Sequence, residues 1–229
     1  MARRSKQVEK VREITLYTAA ELFLEKGYTE TTMRGLAQKA GVDVSSINRA
    51  FGCKENILCE LVAYVLNGQF ETMKALLQGV TDDPLLFYAA ETTLQLHIVE
   101  SHEHIRDLYN AAYSMPKTTE NIQKTITGKL EYVFKDHLPH LQTKDFFELE
   151  VASCGIMRGF MSIPCDMYFT MDRKIRRFLE TTFLIYRVSD EKIEQIIEFV
   201  SRFDFAKIAE EVINSMFRSL ETEPQWLEK

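Results

Sequence analysis

Apolar residues recur three and four positions apart along almost the whole chain, and this spacing predicts α-helices. Glycine and proline, which interrupt helices, are scarce, with nine and five copies in 229 residues. No segment shows the alternation typical of a strand. We therefore predict an all-α fold. Capping residues and helix breakers predict helices over residues 6–26, 31–41, 43–50, 53–78, 85–100, 102–114, 118–137, 145–163, 172–187, 190–202 and 204–220.

The first three of these helices are short and carry enough apolar residues for a small core of their own. Candidates for that core are Leu22, Phe23, Leu36, Ile47 and Phe51. The turn between the second and third helices contains Gly41, and a glycine in such a turn is typical of the helix-turn-helix motif. We therefore predict two domains: a three-helix module at residues 1–55 and a larger helical domain at residues 56–229.

The third helix, in the stretch DVSSINRAF, carries small polar side chains between apolar anchors. In a helix-turn-helix pair the second helix lies in the major groove, and bulky side chains on its outer face would hold it away from the bases. Ser45 and Ser46 are small enough, Asn48 can pair with adenine, and Arg49 can reach guanine or a phosphate. Val44 can contact a thymine methyl group. This pattern predicts a recognition helix.

Three further residues extend the predicted DNA-binding surface. Lys54 stands at the start of the fourth helix, where free amide groups and the helix dipole favour a phosphate. Thr32 and Arg34 are placed similarly at the start of the second helix. A solvated surface helix with an ordinary cap is equally compatible with the polar residues of the third helix taken alone.

The longer string TLYTAAELFLEKGYTETTMRGLAQKAGVDVSSINRAFGCKENIL resembles the DNA-binding domain of the TetR family of transcriptional regulators. The residues that carry the resemblance are Ala-Glu-Leu-Phe at 20–23, Gly27-Tyr28, Thr31-Thr32, Leu36-Ala37, Ala40-Gly41-Val42, Ile47, Phe51 and Lys54-Glu55. In that family the Gly-Tyr pair closes the first helix, the threonines cap the second, and the lysine meets the DNA backbone. The chain departs from the family at Ser45, often glycine, at Asn48, commonly a tyrosine, and at Ala50, frequently an aromatic residue or histidine.

The resemblance implies that the C-terminal domain dimerises and often encloses a small-molecule pocket. Small residues in the helix after residue 145 and an apolar stripe on the last helix favour a subunit interface, with core packing inside one subunit as the alternative. The predicted interface residues are Ala152, Gly155, Gly159, Val212, Met216 and Leu220.

The middle helices are rich in aromatic and methionine side chains, which are typical both of ligand pockets and of ordinary cores. Arg158, surrounded by apolar neighbours, is a candidate partner for Glu150 or for an acidic effector. The predicted pocket residues are Phe87, Tyr88, His97, Tyr109, Tyr113, Phe134, Met157, Arg158, Phe160 and Met161. The effector itself is unknown and predicted to be apolar or aromatic.

Charge and motif content restrict the function classes. The net charge is −6, but residues 1–60 hold ten Lys and Arg against eight Asp and Glu, so the basic excess lies in the module. The four cysteines form no Cys-x-x-Cys pair, and the histidine pairs lack the spacing of a metal site, so we predict no metal and no cofactor. No catalytic motif is present, which argues against an enzyme. No apolar run is long enough to span a bilayer, which predicts a soluble, cytoplasmic protein.

These observations favour a one-component repressor that binds a double-stranded, near-palindromic operator as a homodimer and is released by a small effector. The alternative is a DNA-bound protein of the same fold whose C-terminal domain docks a protein partner. An all-helical enzyme is the least favoured class.

Overall fold

The structure is a computed structural model that describes the backbone of residues 2–221 and the side chains of residues 7–215. In that part of the chain there are eleven helices and no strand, which confirms the predicted all-α fold. The helices are α1 Ala2–Glu30, α2 Met33–Ala40, α3 Val44–Phe51, α4 Lys54–Leu77, α5 Pro84–Ser101, α6 Glu103–Ala112, α7 Pro116–Phe134, α8 Thr143–Ser162, α9 Met171–Ile185, α10 Asp190–Val200 and α11 Phe205–Glu221.

Helix α1 is broken at Gly27, whose backbone (φ 83°, ψ 163°) is not helical. The break lies where the Gly-Tyr pair was expected to close the first helix, and one further turn follows it. The side chain of Thr32 caps α2 by accepting from the amide of Gly35, as predicted. Thr31 is instead buried, and its hydroxyl donates to the carbonyl of Gly27 at 2.8 Å.

The turn between α2 and α3 is built on Gly41, which adopts a left-handed backbone conformation with φ 65°. Only glycine and a few polar residues adopt this region readily. The amide of Val42 donates to the carbonyl of Ala37 at 3.1 Å and closes the turn. The helix-turn-helix arrangement expected from the sequence is therefore present.

The apolar side chains separate into two cores. The N-terminal core contains Leu16, Ala19, Leu22, Phe23, Tyr28, Leu36, Ala37, Ile47, Phe51, Ile57, Leu58, Leu61 and Ala111. The last of these residues lies on α6, and Leu108 and Met115 pack against the same core. The N-terminal core thus extends beyond residue 55, because the first turns of α4 and one face of α6 complete it.

The larger core is organised around α5, which packs against α4, α6, α7, α8, α9, α10 and α11. Its residues from Ala89 to Leu96 are nearly all buried. The N-cap of α5 is Asp83, which accepts from the amide of Leu85, and Pro84 occupies the first helical position. No helix in the described part is long and apolar enough to cross a membrane.

Candidate DNA-binding module and ligand cavity

The outer face of α3 is polar and open to solvent. Ser45, Asn48 and Arg49 are exposed, and Val44 and Ser46 are half-buried. On the opposite face the side chains of Ile47 and Phe51 are buried in the N-terminal core. The helix therefore presents the small polar surface that entry into a major groove requires.

Arg12, which the sequence did not single out, holds the C-terminal end of α3. Its Nη1 donates to the carbonyl of Ala50 at 2.7 Å, and its guanidinium lies 4.6 Å from the centroid of the Phe51 ring. The other guanidinium nitrogen forms an ion pair with Glu60 on α4. Arg12 thus joins α1, α3 and α4 and fixes the orientation of the recognition helix.

Lys54 is turned towards the protein rather than fully towards solvent. Its ammonium donates to the carbonyls of Tyr28 and Thr31, both at 2.7 Å, and lies 4.0 Å from the centroid of the Tyr28 ring. Burial lowers the pKa of Lys54 from its ordinary value. Two of the three ammonium protons therefore stabilise the end of α1. The phosphate contact of Lys54 stays a prediction that relies on the third proton.

The remaining predicted DNA contacts lie at the start of α2. Arg34 and Thr32 are exposed there, with the Thr32 hydroxyl engaged as the helix cap. The exposed residues of α2 and α3 are the candidate DNA-binding surface, and their contacts with DNA stay predictions.

A cavity of about 80 Å³ lies between α4, α5, α7 and α8, with Tyr113 at the end of α6 as a further wall. Four of the predicted pocket residues line it: Phe87, Tyr88, Tyr113 and Met157. The residues that the sequence did not suggest are Leu66, Phe70, Glu91, Thr92, Gln95, Ile126, Lys129, Leu130, Val133, Glu150, Ser153 and Cys154. Among the missed residues are two carboxylic acids and one amine.

Two acidic side chains lie at the walls of this cavity. Burial raises the pKa of Glu91 from its usual 4.5 to about 7, although the charge of Lys129 opposes the shift. Burial likewise raises the pKa of Glu150 to about 7, against the effect of a 2.7 Å hydrogen bond from the Ser153 hydroxyl. Both carboxyls are therefore only partly ionised near neutral pH.

A chain of polar side chains leads from the cavity to α6. Gln95 donates to Glu91 at 3.2 Å and to Gln69 at 3.4 Å. Gln69 in turn donates to the hydroxyl of Tyr109 on α6. The Tyr113 hydroxyl donates to Gln95 at 3.4 Å. Tyr109 thus lies behind the cavity wall instead of lining the cavity.

Five other predicted pocket residues lie elsewhere. His97 lines a second cavity of about 580 Å³ beside α11 and stacks on Phe205. Phe134 is buried in the core with its ring stacked on Tyr186 at 3.8 Å. Arg158 is exposed on α8, Phe160 packs against Phe178, and Met161 is fully buried. These five residues do not line the first cavity, because helix periodicity does not indicate which neighbour a buried face meets, and a role of His97 in effector binding stays a prediction.

The small residues of α8 form an open face. Ala152, Gly155 and Gly159 are exposed, and a Cβ atom added to either glycine would meet nothing within 4 Å. Val151 on the same helix is 49% exposed, and Leu184 on the neighbouring α9 is 64% exposed. These residues define the α8–α9 face, which the described part of the chain leaves uncovered.

The part of α11 whose side chains are described packs into the core. Val212 is buried within the subunit, in the core that α11 forms against α5. The core packing that was the alternative reading therefore applies to Val212. The side chains of Met216 and Leu220 lie outside the described residues. The sequence did not suggest α9 for the open face because its exposed Leu184 is a single apolar residue among charged ones.

In the part of the chain that the structure describes, no group of three or more His, Cys, Asp or Glu side chains could hold a metal ion. The arrangement instead combines an exposed polar helix of the kind that reads DNA with a remote cavity lined by apolar and hydrogen-bonding groups. Such an arrangement defines a helix-turn-helix transcriptional regulator.

Comparison with known proteins agrees with this class. Residues 16–61 match the model for bacterial regulatory proteins, tetR family. The predicted resemblance to the TetR family is therefore confirmed for the N-terminal module, which this match covers. No curated protein matches the chain.

The solved structures extend the likeness to the whole fold. The crystal structure of RolR in complex with its ligand resorcinol aligns with a TM-score of 0.63 over 87% of this chain and 97% of that chain. The sequences are 15% identical, so the likeness shows a shared fold.

Proposed function

We propose that the protein is a one-component repressor: a homodimer binds a near-palindromic operator through α2 and α3 and dissociates when a small effector occupies the cavity beside Glu91. The observation that carries the proposal is the presence, in one chain, of an exposed recognition face and a lined internal cavity. The proposal gives residues 1–55 the DNA-binding role and residues 56–229 the effector-binding and dimerisation roles. It assigns no catalytic step to the chain.

For the DNA contacts, we assign base readout to Ser45, Ser46, Asn48 and Arg49, with Val44 against a thymine methyl group. Thr32, Arg34 and Lys54 contact phosphates and set the register. Because the operator is chromosomal, the protein acts in the cytoplasm, in keeping with four cysteines that are all free.

For the dimer, we assign the interface to the α8–α9 face, with Ala152, Gly155 and Gly159 at its centre. Glycine on both helices of a pair permits close approach of two backbones, and exposed apolar side chains such as Val151 and Leu184 gain from burial. A twofold dimer places its two recognition helices roughly 34–36 Å apart, on successive major grooves.

For the effector, RolR offers a starting comparison, since that protein is bound to resorcinol, a small aromatic molecule. The cavity of this chain is likewise lined by aromatic rings and a few polar groups. An effector shifts the protein towards a non-binding conformation only by the difference in its affinity for the two conformations.

The test begins with selection of bound DNA from a random pool by the purified full-length protein, which returns the half-site and its spacing. Fluorescence anisotropy on that operator then measures Arg49→Ala, which we expect to weaken binding by about 1–3 kcal/mol. Arg202→Ala, at another exposed arginine that follows α10, serves as the control. Failure to enrich any two-half-site sequence, or equal binding by both variants, would overturn the proposal.

The exposed Met167 and Tyr168, at 79% and 76%, favour a second candidate function, in which the C-terminal domain docks a protein partner while the module holds DNA. Hydrogen exchange of the purified protein in solution distinguishes the two. Protection of the loop at residues 163–170 in the homodimer supports the repressor, and its full exchange supports the partner-docking protein.

A further inference from the structure

The charges at the cavity walls are unbalanced. Glu91 and Glu150 supply two carboxyls, and Lys129 supplies the single cationic group among the described lining residues. The charge of Lys129 acts on Glu91, but among the described residues no ion pair joins the two, and the Lys129 ammonium lies 3.9 Å from the centroid of the Phe70 ring. A carboxylate or phosphate ligand would add a third acidic group to this cavity, and repulsion opposes its entry.

The cavity walls also hold hydrogen-bond acceptors that have no donor in the described part of the chain. One oxygen of Glu91 accepts from Gln95, and one oxygen of Glu150 accepts from Ser153. Among the described residues, the second oxygen of each carboxyl and the hydroxyl of Tyr88 receive no hydrogen bond. A ligand without hydrogen-bond donors would displace water from these oxygens and leave them without a hydrogen bond. Binding of such a ligand therefore carries the full desolvation cost of these acceptors.

A positively charged donor fits both features. An ammonium group supplies three N–H donors and one positive charge, and the faces of Phe87 and Tyr88 favour a cation as the face of Phe70 does for Lys129. The apolar body of such a ligand would contact the cavity-lining side chains of Leu66, Val133 and Met157. The cavity of about 80 Å³ is about half the volume of one that holds benzene, about 150 Å³, so it admits only a compact aliphatic body.

We propose that the effector is a small aliphatic ammonium compound, whose charged nitrogen is bound by the carboxyls that Glu91 and Glu150 supply to the cavity wall. This rests on the proposed effector role of the cavity. The raised pKa values of both carboxyls are consistent with it, because burial outweighs the charge of Lys129 at Glu91 and the hydrogen bond from Ser153 at Glu150.

The test uses isothermal titration calorimetry on the full-length protein with three compact probes: isobutylamine, isobutyl alcohol and isobutyrate. Ethylamine serves as a smaller amine. We expect the amines to bind roughly tenfold or more tightly than isobutyl alcohol, as a charge-assisted hydrogen bond predicts, and isobutyrate not to bind. Equal binding of the alcohol and isobutylamine, tighter binding of isobutyrate, or no binding of either amine up to about 1 mM overturns the proposal.

Variants locate the binding in the cavity. Glu91→Gln and Glu150→Gln keep the size of each side chain and remove its charge, and each is expected to lower the affinity for the amines roughly tenfold. Glu148→Gln on the exposed side of α8 is the matched control and is expected to bind as the wild type does. Glu150→Asp retains the charge and, with its melting temperature, separates loss of binding from loss of folding. Unchanged amine affinity in both Gln variants overturns the assignment.

Operator release is measured separately, so that the two proposals fail in different ways. Amine binding without DNA dissociation refutes the repressor mechanism and leaves the ligand assignment intact. Dissociation by resorcinol or another neutral compound, with no binding of amines, refutes the ligand assignment and leaves the repressor mechanism intact.

Discussion

Both carboxylate oxygens of Asp107 are hydrogen-bonded to Thr29: the amide donates to Oδ2 at 2.8 Å and the hydroxyl donates to Oδ1 at 2.7 Å. Asp107 lies on α6, and Thr29 lies on the turn that follows the break in α1. A second bond joins the same elements, with Nδ1 of His104 3.1 Å from the carbonyl oxygen of Leu24. The N-terminal module is therefore attached to α6 by directional hydrogen bonds as well as by apolar packing.

The hydrogen bonds between Asp107 and Thr29 predict lower stability and weaker operator binding for Asp107→Ala. Loss of two hydrogen bonds should lower the free energy of unfolding by about 1–2 kcal/mol, since each contributes about 1 kcal/mol. Because the contact also fixes the end of α1, operator affinity should fall as well. Chemical denaturation and anisotropy measure the two effects. Asp136→Ala, at an exposed position after α7, is the control, and equal behaviour of the two variants would contradict the assigned role.

Lys54 has a structural role in addition to its predicted phosphate contact, and the two are separable. Lys54→Ala leaves the carbonyls of Tyr28 and Thr31 without their donor, so the free energy of unfolding should fall by about 1–3 kcal/mol. If the third proton reaches a phosphate, the slope of log affinity against log salt should decrease by about one. Titrations at several salt concentrations measure the slope. A stability loss with an unchanged slope would show that the lysine serves the fold alone.

Glu150 makes the stability of the protein depend on pH in the direction opposite to a salt-bridged acid. Its pKa is raised by burial from 4.5 to about 7, so the folded protein binds this proton more tightly than the unfolded chain does. The resulting stability is present below pH 4.5 and is lost as the pH rises through 7, with a total of up to about 3 kcal/mol. Glu91 contributes in the same sense.

Glu150→Gln should remove part of this dependence, because the amide stays neutral and can still accept from Ser153. Melting temperatures between pH 5 and pH 8 measure the effect, with Glu148→Gln as control. The groups around Glu150 are Tyr88, Tyr113, Tyr186 and Cys154, whose own pKa values are all raised by burial, so they remain neutral over this range. A variant that loses stability with pH as steeply as the wild type would contradict the assignment.

The open glycines of α8 allow a clean test of the proposed dimer. Gly155→Arg should leave the subunit folded, because the added side chain meets open space, and should halve the mass measured by light scattering. Gly128→Arg on α7 is the matched control, since that glycine also lies in open space on an exposed helix face. A dimer that survives Gly155→Arg would place the interface elsewhere.

Much of the fold could be predicted from the sequence because its helices are bounded by local signals. Asp83-Pro84 begins α5, Thr32 caps α2 and Gly41 forms the turn, and each signal acts within a few residues. The exposed face of α3 follows from the same local pattern, because Ile47 and Phe51 are four residues apart.

The cavity could be predicted only in part. Helix α5 is apolar on all sides, so its periodicity does not distinguish Phe87 and Tyr88, which line the cavity, from residues that pack in the core. Phe134 and Met161 are apolar residues of the kind that also lines ligand pockets, and they are nevertheless buried in the core. A usable signal was overlooked: Glu91 and Glu150 are acidic residues within apolar stretches, and a buried acid in such a setting indicates a functional site.

Because α6 contributes to the N-terminal core, the N-terminal module cannot be exchanged with that of another protein on its own. The N-terminal core is completed by Leu108, Ala111 and Met115, which pack beneath α1 and α4. A chimaeric protein that takes only residues 1–55 from this chain would therefore place the N-terminal module against a surface that does not match it. The transplantable unit consists of residues 1–61 together with the inner face of α6. If the proposed function holds, transfer of operator specificity from this chain requires exchange of a helix face as well as a contiguous segment.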